Sequence, residues 1–207
     1  MRSAKLLKII MVAVCGGCLF FACGILLYSH FAQKRAERLA VKVQKIRIGK
    51  SSRSDVAKIL GPFKATPMGG SYGHLEDGFS IGVANYPKFL IPFSVLAPIY
   101  PSGFAADIYF EGDCVSNILV FFEGRDFSIR TSAHNIGGLS PDVRELHWLA
   151  GEFVSVNYDQ SNVEGTKSAW NFNFGCLNSF SGCKKATEIL PIAVPVRATI
   201  PSSYPDY

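Results

Sequence analysis

The stretch SRSDVAKILGP, Ser52 to Pro62, carries a complete short helix with its own start and stop signals. Ser52 stands where an N-cap belongs, and Asp55 three residues later can close a capping box. Val56, Ile59 and Leu60 then fall on one apolar face. Gly61 tolerates a left-handed stop, and Pro62 prevents continuation. About two turns of helix are not stable alone, so this element must lean on a sheet or another helix. The Gly49-Lys50-Ser51 just before it suggests a phosphate-binding loop. A Walker A loop, however, needs a further glycine at position 44, which is Gln, and a strand where this chain has a charged, helix-like segment. Gly49 therefore reads as a turn residue and Lys50 as part of a basic connector.

Upstream, IIMVAVCGGCLFFACGILLY (Ile9 to Tyr28) is uncharged and follows Arg2, Lys5 and Lys8. As a helix it extends about 30 Å, the thickness of a hydrocarbon core. A spanning helix is expected, and through residues 9–28 membrane lipids are expected partners. The alternative is a cleaved signal peptide, but the run is long and no clear small-residue cleavage site follows. Cys15-Gly-Gly-Cys18 has the outline of a redox or metal pair, but lipid withholds the water that thiolate chemistry requires. Cys15, Cys18 and Cys23 read as apolar filling or small contact residues, and Phe20-Phe21-Ala22 makes a poor lipoprotein processing site before Cys23.

Charge is unevenly placed. Between Lys34 and Lys64 there are ten Lys and Arg residues against Glu37 and Asp55, whereas from Ala65 to Tyr207 eight basic residues face fourteen acidic ones. The positive charge lies beside the apolar run, where anionic headgroups attract it. The body lacks the electrostatic footprint of a nucleic-acid binder. Within the connector Ala32, Ala36, Leu39, Val43 and Ile46 share a helical face. That face suits a helix docked at the start of the body, a continuation of the anchor, or self-association.

Downstream the period becomes extended. FSIGVANY (79–86) alternates in part, and KFLIPFSVLAPIYP (88–101) is apolar with three prolines and suits an edge or covering loop. ADIYF, the turn EGDC, VSNILVFFE, the turn EGRD and FSIRTS predict an antiparallel meander over 106–132. Ser140 and Pro141 look like the start of a helix carrying Val143, Leu146 and Leu149. EFVSVNYD and SAWNFNFG are strand candidates, and 183–190 a short helix. The similarity of SPDVRELHWLAG to SRSDVAKILG raises the prospect of two helix-plus-sheet units. The fold class is α+β: a basic N-terminus (1–8), a transmembrane helix (9–28), a basic amphipathic connector (29–47), a globular domain (48–190) and a proline-rich tail (191–207).

Residues with chemical potential form no convincing site. GGSYG (69–73) matches a nucleophile elbow around Ser71, but neither its strand nor its helix is evident, so a serine hydrolase is the weakest reading. His30, His74, His134 and His147 have no ligand spacing, and the carboxylates of Glu76, Asp77, Asp107, Glu111 and Asp113 lie in or near turns. No metal or cofactor is expected. Phe110, Phe121, Phe122 and Tyr109 line either a ligand pocket or the sheet core, and Trp148 and Trp170 share that ambiguity. Cys176 and Cys183 in CLNSFSGC can close a disulfide in an oxidising compartment, remain free, or form half a metal site.

KIRIGKSSRSDVAKILGPF (45–63) resembles the opening of small envelope proteins of the BamE (SmpA/OmlA) type and of the related β-lactamase-inhibitor-like domains. The matching positions are Ile48, Gly49, Val56, Leu60, Gly61 and Pro62, with Ser52 and Asp55 as the cap. The resemblance implies a non-enzymatic α+β module with a three-stranded antiparallel sheet, holding protein partners in the envelope. Lipid attachment at a cysteine, usual in that family, has no counterpart here, and the C-terminal half is longer. The expected function is thus a membrane-anchored interaction or envelope-maintenance module. Basic residues on both flanks of the anchor leave its orientation open, the heavier cluster beyond residue 34 arguing for a cytoplasmic body and the Cys176/Cys183 pair for the expected extracytoplasmic one. A small-molecule or lipid-binding domain is the alternative.

Overall fold

A computed structural model of the chain describes residues 2–68, 77–85, 102–124, 127–134, 142–148, 151–178, 182–183 and 185–191. It opens on one long helix, α1 (Arg2–Val43). Its apolar stretch makes α1 the one helix among the described residues that is long and apolar enough to cross a membrane. The helix does not end with the apolar run. Residues 29–43 continue it straight into the body, so the connector is part of the folded core. Ala36, Leu39, Val43 and Ile46 are fully buried and Ala32 nearly so. The face considered for self-association is thus occupied by the chain's own sheet.

The short helix α2 (Arg53–Leu60) has the capping box expected of it. The Ser52 side chain accepts from the Asp55 N–H, and the Asp55 carboxylate accepts from the Ser52 N–H. Val56 and Leu60 point into the core, and Gly61 ends the helix at φ +55°.

Seven strands then form one sheet: β1 (Thr66–Met68), β2 (Gly78–Asn85), β3 (Ser102–Glu111), β4 (Cys114–Glu123), β5 (Phe127–His134), β6 (Asp142–Trp148) and β7 (Gly151–Asp159). Their order is β1-β2-β3-β4-β5-β7-β6. All neighbours are antiparallel except β5 and β7, which run parallel. The predicted meander is β3–β4–β5. Its first turn holds Gly112 at φ +62° between paired Glu111 and Cys114, a conformation that suits glycine in a tight hairpin. The sheet is larger than the three strands the family resemblance implies.

Residues at alternate positions build the core: Phe104, Ala106, Ile108 and Phe110 on β3, Ile118, Val120 and Phe122 on β4, and Ile129 and Ala133 on β5. The docked half of α1, α2, and three C-terminal elements cover this face. The latter are α3 (Val163–Ala169), a 3₁₀ turn (Phe174–Cys176) and α4 (Ala186–Ile189).

Two sequence expectations are overturned. The segment beginning at Asp142 is not a helix but strand β6, pairing from Asp142↔Asn157 to Trp148↔Gly151. Its apolar steps are short, and a brief helix is marginal by itself, whereas beside β7 every second backbone group finds a ladder partner. Ser140 and Pro141 lie outside the described residues. With β6 in the sheet, the two-unit architecture gives way to a single sheet. SAWNFNFG is not a strand either: Ser168 and Ala169 end α3, and Phe174 enters the 3₁₀ turn. The period of two is real, since Trp170, Phe172 and Phe174 point inward while Asn171 and Asn173 are exposed. The reason it is not a strand is that the Asn162 and Asn173 side chains cap local turns in place of a ladder. The short helix expected within 183–190 is α4. GGSYG with Ser71, His74 and Glu76, the 88–101 segment and the tail from 192 lie outside the described residues.

Candidate functional site: the junction of helix and body

Three sets of contacts fix the long helix and the segment that follows it to the body. The first lies just past the apolar run. Ser29 on α1 is buried, and fully buried Asn85 at the end of β2 donates from Nδ2 to Ser29 Oγ at 3.3 Å and to the Leu177 carbonyl at 3.0 Å. One turn along α1, Gln33 Nε2 donates to the same Leu177 carbonyl at 3.1 Å. Leu177 belongs to the loop closed by the Cys176–Cys183 disulfide. A covalently closed loop therefore supplies the carbonyl that both the long helix and the sheet grip. Cys114, the remaining body cysteine, is free and exposed.

The second set holds the stretch before α2. Gln160 Nε2 donates to the Ile46 carbonyl at 2.7 Å, while its Oε1 accepts from the Ile48 N–H at 2.8 Å. The Gln160 side-chain amide thus mimics a neighbouring strand. Gly49, at φ +70°, then turns the chain so that its N–H reaches the Val115 carbonyl at 2.8 Å, and Val115 N–H returns to Ser51. The Gly-Lys-Ser triplet is a backbone clasp on β4. At the start of α2, Arg53 forms a two-pronged ion pair with Asp77 and lies 4.5 Å over the Phe110 ring. Backbone contacts to Ser52 first, and then its hydroxyl, hold the Asp55 carboxyl below its ordinary pKa.

The third set joins α1 to the far end of α2. Lys42 Nζ donates to the carbonyls of Ile59 and Leu60 at 2.6 and 3.2 Å. A cation here satisfies carbonyls that have no partner within the helix and opposes the helix dipole. Beside it an open groove of about 740 Å³ runs between α1 and Phe63.

The remaining candidates sort by sheet face. Phe110 and Phe122 are core residues, as are Phe104 and Phe172, whose rings meet Phe122 at 6.3 and 6.0 Å. Buried Trp170 donates its indole N–H to Tyr158, whose phenol is pushed up by burial. Phe121 and Tyr109 lie half-buried on the opposite face, with the Arg130 guanidinium 5.8 Å from the Phe121 ring. The same face carries a shallow trough of about 450 Å³ formed by small residues, Gly82, Ala84, Gly103 and Ala105, beside Phe121. His134, His147 and Trp148 are described by their strand positions alone. Among the described residues no three His, Cys, Asp or Glu side chains gather to hold a metal.

Sequence reading missed Ser29, Gln33, Asn85 and Gln160. Ser29 and Gln33 carried a usable signal, being two polar residues one helical turn apart immediately after an apolar run. Asn85 and Gln160 carried none, because their partners are more than 50 residues away in the chain. No protein-family model, curated protein or solved structure matches this chain.

Proposed function

We propose that this is a single-pass membrane protein whose non-enzymatic body serves as an interaction or envelope-maintenance module of BamE-like type. One observation carries the reading: α1 is a single helix whose apolar run is largely outward-facing as far as Gly24, with Ile25 already buried, and whose continuation buries one face in the body's core. A flexible tether lets a domain tumble, whereas a helix shared between bilayer and core holds it at a set orientation. Such rigidity suits a body that presents one face to a neighbour. The trough of Gly82, Ala84, Gly103 and Ala105 lets another backbone approach closely, and Phe121 beside it offers an aromatic anchor. The Cys176–Cys183 disulfide supports an extracytoplasmic side, where such bonds persist.

Photocrosslinking from positions 80 and 84 in intact membranes tests the interaction reading. The expected result is repeated capture of one protein neighbour from both positions and none from Lys167 on α3. Failure of both sheet positions to capture a specific neighbour counts against it. Membrane side is tested by labelling a cysteine introduced at position 167, in a variant in which the free Cys15, Cys18, Cys23 and Cys114 are replaced, with an impermeant reagent on intact cells. Labelling only after lysis rejects the extracytoplasmic body.

A further inference from the structure

Docking α1 on the sheet leaves one of its sides facing the groove beside Phe63. Arg35, Arg38, Lys42 and Lys45 line this side, and Val41, 54% exposed, adds an apolar surface. The Arg35 guanidinium stands 5.7 Å from the Phe63 ring centroid and Lys42 Nζ 6.0 Å from it. The charges have unequal commitments. Lys42 caps α2. Glu37, the acidic residue of the groove, is paired with Lys34 at 2.8 Å. Arg38 donates from Nε to the Lys34 carbonyl, which leaves its two terminal nitrogens free to bond elsewhere. Among the described residues no carboxylate bridges Arg35, Arg38 or Lys45. Three cations therefore share one open groove without an internal counter-ion, an arrangement that repels itself until an external anion enters.

The position of the groove selects the anion. Arg35 follows Tyr28, the end of the apolar run, by seven residues, a helical rise of about 10 Å, and Arg38 by about 15 Å. The headgroup layer extends roughly 5–8 Å beyond the hydrocarbon. Helical side chains lean toward the N-terminus, here toward the bilayer, so long arginines close the remaining gap. We propose that this groove binds the headgroup of an anionic phospholipid, with the phosphate on the Arg35 and Arg38 guanidinium groups and Lys45 adding charge. Val41 and Phe63 form the apolar wall. The paired donors of arginine match phosphate oxygens, and the apolar wall suits a lipid better than a free ion. The inference rests on α1 spanning the membrane.

The test uses the full chain in vesicles of phosphatidylcholine with a photoreactive phosphatidylglycerol or phosphatidylcholine probe, followed by peptide mapping. Phosphatidylglycerol is expected to label residues 34–47 or 62–64 at least fivefold more strongly. The triple variant R35Q/R38Q/K45Q is expected to lose that preference, and R35K/R38K, which keeps the charge without the paired donors, to keep part of it, which separates charge from folding. Equal labelling by the two probes, an unchanged triple variant, or equal losses in the Lys and Gln variants overturn the proposal. Displacement of the lipid by about 10 mM inorganic phosphate at constant ionic strength assigns the groove to a soluble anion and overturns it too. Alkaline extraction of the same vesicles separates the two levels. Release of the protein removes the anchor and this site together, whereas retention without lipid preference removes only this site.

Discussion

The apolar residues of the two parts of α1 are of the same kind and meet opposite environments. In the first, Phe20 is 84% and Val12 73% exposed; in the second, Leu39 and Val43 are fully buried. The hydrophobic effect alone does not tell these parts apart, because both contain enough apolar surface to leave water. What distinguishes them is arrangement. The first part is apolar all round and needs a surrounding apolar medium, while the second has one apolar stripe and needs one apolar neighbour. A continuous helix then joins the apolar stretch rigidly to the sheet.

The largest expected effect comes from breaking that asymmetry. Leu39→Ala should destabilise the body by about 2–5 kcal/mol, whereas Leu19→Ala should leave body stability unchanged. Denaturant unfolding in detergent, followed by tryptophan fluorescence, reads both variants. Equal effects would mean the docked part is not core. Removing the disulfide with C176S/C183S should cost about 2–3 kcal/mol for so short a loop, and should loosen the Gln33 and Asn85 contacts to the Leu177 carbonyl. Faster amide exchange at residues 29–36, with α2 unchanged, is the expected signature.

Smaller effects test the clasp at α2. Ser52→Ala should cost about 1 kcal/mol. Because the folded state lowers the Asp55 pKa, its contribution is complete above the ordinary carboxylate pKa and fades as pH falls through the lowered one. The Ser52→Ala deficit should therefore shrink in acid, as unfolding curves at neutral and strongly acidic pH can show. Tyr158 behaves oppositely. Its raised pKa gives stability that is complete below the ordinary phenol value near 10 and is lost as pH rises above it. Tyr158→Phe should flatten that alkaline loss. The smallest change is expected at the exposed Lys34–Glu37 pair, where Glu37→Gln should alter stability by less than about 0.5 kcal/mol.

Much of this architecture was legible because it is local. The α2 cap, its stop at Gly61, the β3–β4 turn at Gly112 and the apolar run each depend on residues within a few positions of one another. The misreadings arose where local signals were ambiguous. Asp142–Trp148 carries helix-like apolar spacing but becomes a strand because β7 lies beside it. Trp170, Phe172 and Phe174 alternate like a strand yet lack a partner, because asparagine caps divert the backbone. The junction was less legible still. Nothing near Asn85 in the chain announces Ser29, and Gln160 finds Ile46 and Ile48 only after the chain has folded back.

By itself, then, the sequence determined a membrane-length helix, a basic stretch after it, a capped helix and an antiparallel meander, since each follows from hydrophobic period, charge or turn chemistry over short distances. Tertiary structure decided that helix and body are continuous, that the basic stretch splits into a buried face and an open groove, and that a disulfide loop grips both helix and sheet. Those outcomes depend on which distant surfaces fit together, and apolar burial and backbone hydrogen bonding are satisfied only by the assembled whole.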